Sequence, residues 1–476
     1  MATLYQVGVR ALFSCALAAL TGLMAAPAHA VLPIVHWQQP NGAAVYLVSS
    51  MAIPMVDVQI DFDGGSRRDP AKQAGLANAM AGAMALGLRA APAVGGNGLA
   101  PAMDENALSD AWADLGASFG GGASADRLSF SLRSLTYADV LQQAAALAAR
   151  ALAEPAFPDR LWARERDKHI AALKEAQTRP AVLASQAYAQ AVYGSHPYGY
   201  AETEATLKAI QAADLRAHHA RYVRACNAHV SVVGAVNPAQ ADALVAQILG
   251  RLPATECPTL PSVADVAPLQ GAQDIRIPFD AAQAQVLLGQ PGVARATPDY
   301  FALLVGNHIL GGGGFSSRLT AEVREKRGLS YSVSSGFSPG LHAGAFTISL
   351  QTRPDQADAA LAVVHDVLNS FITDGPTQAE LQAAKAFLIG GFPLRLDSNR
   401  KLLDNVANIA WNQLPLDYLD TWTAQIAALN IGDIRAAMAR VLQPERMVTV
   451  VLAPAEAPAS APVANAGGAA TATALR

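Results

Sequence analysis

The chain has 476 residues, is 52% hydrophobic and 15% charged, and carries a formal net charge of −4. That length holds two or more domains, and that composition supports a packed interior, which excludes a disordered chain. Basic residues are nowhere dense enough to grip nucleic acid or an anionic membrane surface. Residues 1–30 read as a cleavable export signal. Arg10 gives the basic end, Ala11 to Ala26 the apolar run, and Ala28-His29-Ala30 a small-x-small cleavage site. The apolar run is short beside the roughly 20 residues of a bilayer span. A periplasmic or secreted chain is expected, with no membrane span once the signal is removed. Two cysteines then remain, Cys226 and Cys257. An oxidising compartment permits a bridge between them, and two isolated buried thiols fit the sequence equally well.

Val45 to Ser50 and Val56 to Phe62 read as strands, the second with Val56, Val58, Ile60 and Phe62 on one face. Gly75 precedes a helix whose apolar stripe is Leu76, Met80, Ala83 and Met84. Turn residues fill Pro92 to Gly98, a helix spans Glu105 to Leu115, Ala117 to Ala125 is glycine-rich, and Leu128 to Leu132 is a strand. Helices follow over 140–152, 160–177 and 181–193. His196-Pro197-Tyr198-Gly199 makes a turn, Asp214 to Tyr222 a helix and His229 to Val233 a buried strand.

The chain repeats itself. DLRAHHARYVRACNAHVSVVG from Asp214 is matched by DIRAAMARVLQPERMVTVVLA from Asp433, an offset of 219 (214 to 433). Ser131-Leu132 and Ser349-Leu350 match at 218 (131 to 349). The expected fold is α+β, in two homologous halves, each a mostly antiparallel sheet with helices packed on one face. The first half takes residues 31–252, a Pro-containing linker 253–272, and the second half 273–453. An Ala/Pro-rich tail, 454–476, is expected to be disordered.

The stretch that organises the chain is Leu310 to Tyr331, LGGGGFSSRLTAEVREKRGLSY. Gly311, Gly312, Gly313 and Gly314 open it. They lack the Lys-Ser/Thr of a phosphate loop and follow a helix (Tyr300 to Ile309), so a hinge or a substrate-gripping loop is the expected role. Ser316 or Ser317 can cap the helix that follows, Leu319 and Val323 share one of its faces, and Gly328 can end it. Ser330 to Ser334 then reads as a strand bearing Tyr331. A guanidinium at Arg324 and a phenol at Tyr331, held on two rigid elements, can converge on one carbonyl oxygen.

This stretch resembles the second-half motif of the pitrilysin/insulinase family of zinc peptidases, which places a Tyr seven residues after an Arg; Arg324 and Tyr331 have that spacing, within VREKRGLSYSV. The resemblance runs from about Val45 to Leu452. It implies a mitochondrial-processing-peptidase-like fold, with Arg324 and Tyr331 as the catalytic pair that donates to the scissile carbonyl. The family's non-catalytic mitochondrial subunit also carries a glycine-rich loop near here, which implies substrate binding by Gly311 to Gly314. Active members follow Gly-Leu-Ala with His-x-x-Glu-His, which gives zinc two imidazoles and its water a base. Here the matching residues run from Asn78 to Gly82. Asn78, Ala81 and Gly82 are therefore degenerate metal-site positions, and no metal is expected in this chain. No other histidine pair restores the motif: His218 and His219 are adjacent and point about 100° apart on a helix. Glu175, near the expected further ligand, reads as solvated.

The resemblance thus implies a non-catalytic subunit of a periplasmic heteromeric zinc metallopeptidase of the small bacterial type. Zinc is expected in the partner, a catalytic subunit of the same family, and the substrate is expected to be a peptide or an unfolded protein. The alternative is a peptide-binding or scaffold protein of the same descent with no proteolytic role.

Overall fold

The computed structural model describes residues 33–92, 98–253 and 257–455. The signal segment 1–30, most of the 92–98 turn and the tail from 456 onward lie outside those residues. Six strands form the first sheet: β1 (Val35–Gln38), β2 (Ala44–Ser49), β3 (Met55–Phe62), β4 (Ser118–Ala123), β5 (Leu128–Leu135) and β6 (His229–Gly234), in spatial order β1-β2-β6-β3-β5-β4. Only β2 and β6 run parallel. Five strands form the second: β7 (Gln273–Pro278), β8 (Ala284–Pro291), β9 (Ser332–Phe337), β10 (Ala345–Thr352) and β11 (Val448–Ala453), in order β7-β11-β8-β10-β9. Again one pair, β7 with β11, is parallel. The second sheet is the first without its outermost strand. Strand β6 and the helix before it (Ala212–Tyr222) recur 219 residues later as β11 and Ile431–Val441. The chain is therefore α+β, built from two homologous halves.

The glycine-rich segment expected before Leu128 is strand β4, at the sheet edge. Glycine is tolerated there because one face of β4 meets no side chain: a Cβ on Gly120 or Gly122 would touch nothing within 4 Å. Gly121, facing the other way, has a reason to be glycine, since its Cβ would sit 2.3 Å from Phe130.

Each sheet carries its own half's helices on one face, while the opposite face takes a helix lent by the other half. Helix α1 (Leu76–Ala83) buries Leu76, Met80 and Ala83 against sheet one, with α2 (Glu105–Asp114), α3 (Ala138–Ala153) and α4 (Asp159–Ala176) beside it. Helix α5 (Pro180–Tyr193) instead crosses to sheet two and packs Ala184, Tyr188 and Val192 on Ala345, Val448 and Val450. The Tyr188 hydroxyl donates to the Phe346 carbonyl at 2.7 Å, and Tyr193 accepts from the Ala345 amide at 2.8 Å. In return, α6 (Asn399–Asn412) lies over β2, β3 and β6, with Val406, Ile409 and Ala410 in one cluster with Tyr46, Val48 and Val233. This cover explains a feature of β3 that its alternation does not announce. Val56, Val58, Ile60 and Phe62 are buried as expected, but Asp57, Gln59 and Asp61 on the other face are buried too. They are paired accordingly: Asp57 with Arg133 at 2.6 Å, and Asp61 with Gln59 at 3.0 Å and Arg127 at 3.3 Å. Burying those charges unpaired would be costly.

The His-Pro-Tyr-Gly turn joins the halves. Tyr198 donates to Asp126 at 2.6 Å, the other Asp126 oxygen accepts from Leu341 N at 2.9 Å, and His342 N donates back to the Tyr198 oxygen at 3.2 Å. The linker passes along this seam, where His342 Nδ1 lies 2.9 Å from Asp265. Cys226 and Cys257 are bonded, with Cα atoms 5.8 Å apart, so the start of the linker is tied to the turn before β6. The bridge closes a loop of 31 residues. Replacing both cysteines by serine is expected to lower unfolding free energy by about 2–4 kcal/mol, read from urea midpoints of oxidised wild type and variant.

His218, which is buried, and His219 and His229, which are half-buried, favour an acid limit to stability. Burial lowers the pKa of His218 to about 4, against the hydrogen bond from its Nε2 to Gly64 O. Burial also lowers His219 and His229. A folded pKa below the unfolded one means that the unfolded chain takes up more protons as pH falls from about 6.5 towards 4. Stability is then full above pH 6.5 and declines below it, by about 1.4 kcal/mol per pH unit for each proton taken up. Urea midpoints measured from about pH 7 to pH 5 are expected to fall, and His218→Gln is expected to flatten that slope. Asp69, whose pKa burial raises to about 7, works in the opposite sense over this window, so the neutral ring is read from the difference between wild type and His218→Gln: no change in that difference from pH 7 to pH 5 would contradict it.

Candidate functional site

The chain from Tyr300 runs as a helix (Tyr300–Asn307) and continues into a wide helical turn, His308–Gly312. The glycine run is therefore a packed helix end and not the hinge or open loop that its composition suggests. Gly311 is buried, and a Cβ there would lie 2.5 Å from Ser335 Oγ and 2.7 Å from Ser335 N, so the helix end lies directly against β9. That removes Gly311 from any substrate-gripping role. A Cβ on Gly312 would meet Asn307 Nδ2 at 2.6 Å, and one on Gly313 would meet His308 O at 2.6 Å. Gly314, with φ +59°, turns the chain. Gly312 and Gly314 remain exposed.

Ser317 sits at the start of the next helix, yet it does not cap it by side chain. Its hydroxyl donates to Gly314 O at 2.7 Å and can accept from the Thr320 hydroxyl at 3.0 Å, while its carbonyl accepts from Ala321 N at 3.0 Å. Ser316 Oγ likewise donates to Gly313 O, at 2.9 Å. Leu319 and Val323 are fully buried, as their spacing requires. The segment Thr320–Glu325 is another wide turn, with Lys326 N bonded five residues back to Ala321 O at 3.0 Å. Such turns offset the side chains that follow them. Gly328 ends the helix at φ +61°.

Arg324 and Tyr331 meet at one pocket of about 490 Å³, shared with Gln283, Arg353 and Gln356. The Arg324 guanidinium lies over the Phe315 ring, 4.6 Å from its centroid, with Glu325 at 3.4 Å from its Nε. Phe315 is 71% exposed and still serves as the plate that holds this cation. Tyr331 falls one residue before the strand expected to carry it, because β9 begins at Ser332. It stands 82% exposed at a bend fixed by Ser330, whose hydroxyl lies 2.6 Å from Ser332 O and 2.7 Å from Gln351 O, with its one proton shared between these two carbonyls. The pocket therefore presents a guanidinium and a phenol to solvent, both able to donate to an incoming carbonyl oxygen. Nothing in the sequence marked Phe315 as part of this arrangement beyond its place in the stretch.

The other half presents the degenerate positions. Gly75, at φ +101°, begins α1, and the Asp69 carboxylate accepts from Gly75 N at 2.9 Å and Ala77 N at 3.0 Å. Burial raises the Asp69 pKa to about 7, against the pull of those backbone donors. The Asn78 side chain turns to the edge of β4, where its Oδ1 accepts from Ala123 N at 3.2 Å. Ala81 and Gly82 carry no donor atom. Glu175 is exposed near the end of α4, and His218 and His219 bond separately to Gly64 O and Leu152 O at 3.1 and 2.7 Å. Among the described residues no group of three or more His, Cys, Asp or Glu is placed to hold a metal. The donor set does not fit zinc, which takes three or four N, O or S ligands.

Two sheets of one topology, a second half carrying the Arg/Tyr pair and a first half without ligands define a metallopeptidase-type protein whose metal site is gone. The chain belongs to the M16 (pitrilysin/insulinase) peptidase family. The family model described as the peptidase M16 inactive domain matches residues 209–388. The M16 inactive domain from Pseudomonas fluorescens is similar along almost its whole length: 34% identity, TM-score 0.82, covering 90% of this chain and 99% of that one. An uncharacterized zinc protease of Streptomyces coelicolor is 34% identical over 200 residues, 40% of this chain and 43% of its own length. A Mycobacterium leprae zinc protease, also uncharacterized, is 28% identical over 65% of its length. The chain thus spans less than two thirds of these curated relatives. A Helicobacter pylori protein described as a non-peptidase homolog is 37% identical over 125 residues, 26% of this chain and 28% of its own length. The periplasmic protease PqqL of Escherichia coli shares the fold, with TM-score 0.75 at 19% identity over 46% of its length.

Elemental analysis of the dialysed chain is expected to find far less than one zinc per molecule. About one zinc per chain would mean that ligands outside Asn78, Ala81 and Gly82 assemble a site.

Proposed function

We propose that this chain is a non-catalytic subunit of an exported, periplasmic zinc-peptidase complex, in which a partner of the same family supplies the metal and this chain supplies Arg324 and Tyr331. The observation that carries the proposal is the split between halves: α1 has no donor at Ala81 or Gly82, while Arg324 and Tyr331 open onto one pocket. The family membership supports it, as does the non-peptidase description of a Helicobacter pylori relative. The substrate is a peptide or unfolded segment. Its scissile carbonyl would accept from the Arg324 guanidinium and the Tyr331 hydroxyl, and these bonds strengthen as negative charge gathers on the oxygen. Phe315 holds the guanidinium ready, so less orientational freedom is lost on binding. The partner's metal supplies the activated water.

The test is reconstitution with a family member that carries His-x-x-Glu-His. The chain alone is expected to cleave nothing. The mixture is expected to gain zinc-dependent cleavage, and Arg324→Ala or Tyr331→Phe to lower kcat by about 10²–10³, the usual loss for one such donor. Arg324→Lys is expected to impair as well, since an ammonium lacks the planar fork. Size-exclusion chromatography checks that each complex still forms. Wild-type rates from both variants in an intact complex would make the pair structural and favour the peptide-binding or scaffold reading.

A further inference from the structure

Two arginines are buried among the described residues, Arg67 and Arg295. Arg67 is paired as a buried cation must be, with Asp63 at 2.5 Å and Asp126 at 3.0 Å. Arg295 is 7% exposed, yet among the described residues it makes no ion pair with any carboxylate. A cation taken out of water without a counter-charge is costly, and aromatic rings stand here in place of the carboxylate. The guanidinium carbon lies 3.6 Å from the centroid of the Tyr300 ring and 5.3 Å from that of Tyr418, and Nη2 donates to the Tyr418 hydroxyl at 2.8 Å. Tyr300 covers one face of the guanidinium, whereas the N–H groups point outward in its plane. None of its side-chain nitrogens is both unbonded and closed to solvent, so the N–H groups that Tyr418 leaves free reach the surface.

A second guanidinium without a carboxylate stands nearby. Arg395 is exposed and lies over the Trp422 ring, 5.3 Å from its centroid. Tyr418 and Trp422 share a helix (Tyr418–Ala428) and are joined through Phe301, whose ring is 5.8 Å from the first and 6.3 Å from the second. Tyr418 feels both cations: burial pushes its pKa up to about 12, against the pull of Arg295 and Arg395. The phenol is therefore protonated at neutral pH, and having accepted from Arg295 it still has its own proton to give. The acids next in sequence do not neutralise the pair. Arg440 holds both oxygens of Asp299, at 2.9 and 2.7 Å, and Asp417 pairs with neither arginine. The turn bearing Arg395 (Phe392–Arg395) is fixed from α6, where Lys401 Nζ donates to Leu394 O at 2.8 Å and Asn405 Nδ2 to Arg395 O at 3.2 Å. Beside these polar groups the surface is apolar, with Leu394 66% and Leu416 43% exposed.

We propose that Arg295, Arg395 and the Tyr418 hydroxyl form a docking site for an acidic side chain on a segment of a partner protein, with apolar neighbours of that side chain resting on Leu394 and Leu416. Charge complementarity selects the occupant. Two guanidiniums without counter-ions and a phenol with a free proton attract an anion, and the planar fork of arginine matches a carboxylate. The exposed leucines suit the residues that flank an acidic side chain in a protein, which a small free acid lacks. The site shares no residue with the Arg324 pocket and does not rest on Arg324 and Tyr331 acting in catalysis.

The test titrates the full chain with the capped pentapeptide Ac-Ala-Leu-Glu-Leu-Ala-NH2, followed by isothermal titration calorimetry, beside the same peptide with Gln in place of Glu. The Glu peptide is expected to bind, with an affinity that falls as salt rises. The Gln peptide is expected to bind at least ~10-fold more weakly, the scale of one hydrogen-bonded charge. Arg295→Met removes the buried charge at similar volume, a change that often keeps or raises stability, and is expected to bring the Glu peptide down to the level of the Gln peptide. Arg395→Ala alters an exposed side chain, so its fold is not at risk, and it is expected to weaken the Glu peptide while sparing the Gln peptide. Arg324→Ala is expected to bind like wild type. No binding of the Glu peptide, equal binding of the two peptides, wild-type binding by Arg395→Ala, loss with Arg324→Ala, or sodium acetate binding as tightly as the Glu peptide would each overturn the proposal.

Discussion

The structure depends on an exchange: each half lends one helix to the other's sheet. Helix α5 leaves the first half to bury Ala184, Tyr188 and Val192 on sheet two, and α6 leaves the second half to cover sheet one. Each fully buried large side chain on these faces contributes about 1.5–3 kcal/mol. The Tyr188 and Tyr193 hydroxyls take up polar backbone groups that the apolar contact would otherwise strand. Parting the halves would expose both inner faces at once, with Asp57 and Asp61 losing their cover. The two halves are therefore fixed relative to one another, and so is the placement of the Arg324 pocket relative to α1. The Asp126–Tyr198 seam and the Cys226–Cys257 bridge fasten the linker to that frame.

Within that frame, corresponding regions of a duplicated chain have diverged by what they leave out. Helix α1 has an apolar stripe and the Asp69 carboxylate at its N-terminus but no imidazole or carboxylate of its own to offer an ion. Asn78, the one polar side chain among the degenerate positions, is spent on the edge of β4. Beside Ala81 and Gly82, the space between α1, α2 and β4 is lined mostly by apolar side chains. The second half keeps its polar groups on the outside instead. Arg324 is braced by Phe315, Tyr331 stands at a bend, and neither is held in an ion pair that an incoming carbonyl would have to break in a dry interior.

The wide turns on either side of the glycine run set this geometry. A Cβ on Gly311 would collide with Ser335 of β9, so the helix end can come this close to the strand only as glycine. The second wide turn, Thr320–Glu325, carries Arg324, whose guanidinium lies over Phe315. Local backbone irregularity, supported by the buried Leu319 and Val323, thus aims the guanidinium.

The sequence alone determined much of this. Alternation in β3, the stripe on α1, the spacing of Leu319 and Val323 and the repeat at 219 residues are all local periodicities, and a periodicity reports which face is buried. The loss of ligands at Ala81 and Gly82 was equally legible, because a residue without a donor atom cannot bind an ion in any fold. What the sequence left open depended on contacts distant along the chain. It allowed Cys226 and Cys257 to be bridged or free, and only their closeness in the folded chain decided it. It suggested a flexible role for Gly311, because a glycine needed for close packing looks the same as one needed for freedom. It gave no sign that Asp61 would be buried, since the helix that covers it begins more than three hundred residues later. Nor could it show the space beside Gly82, because a cavity belongs to the surrounding elements jointly: to α1, α2 and β4, whose positions only the packed sheet defines.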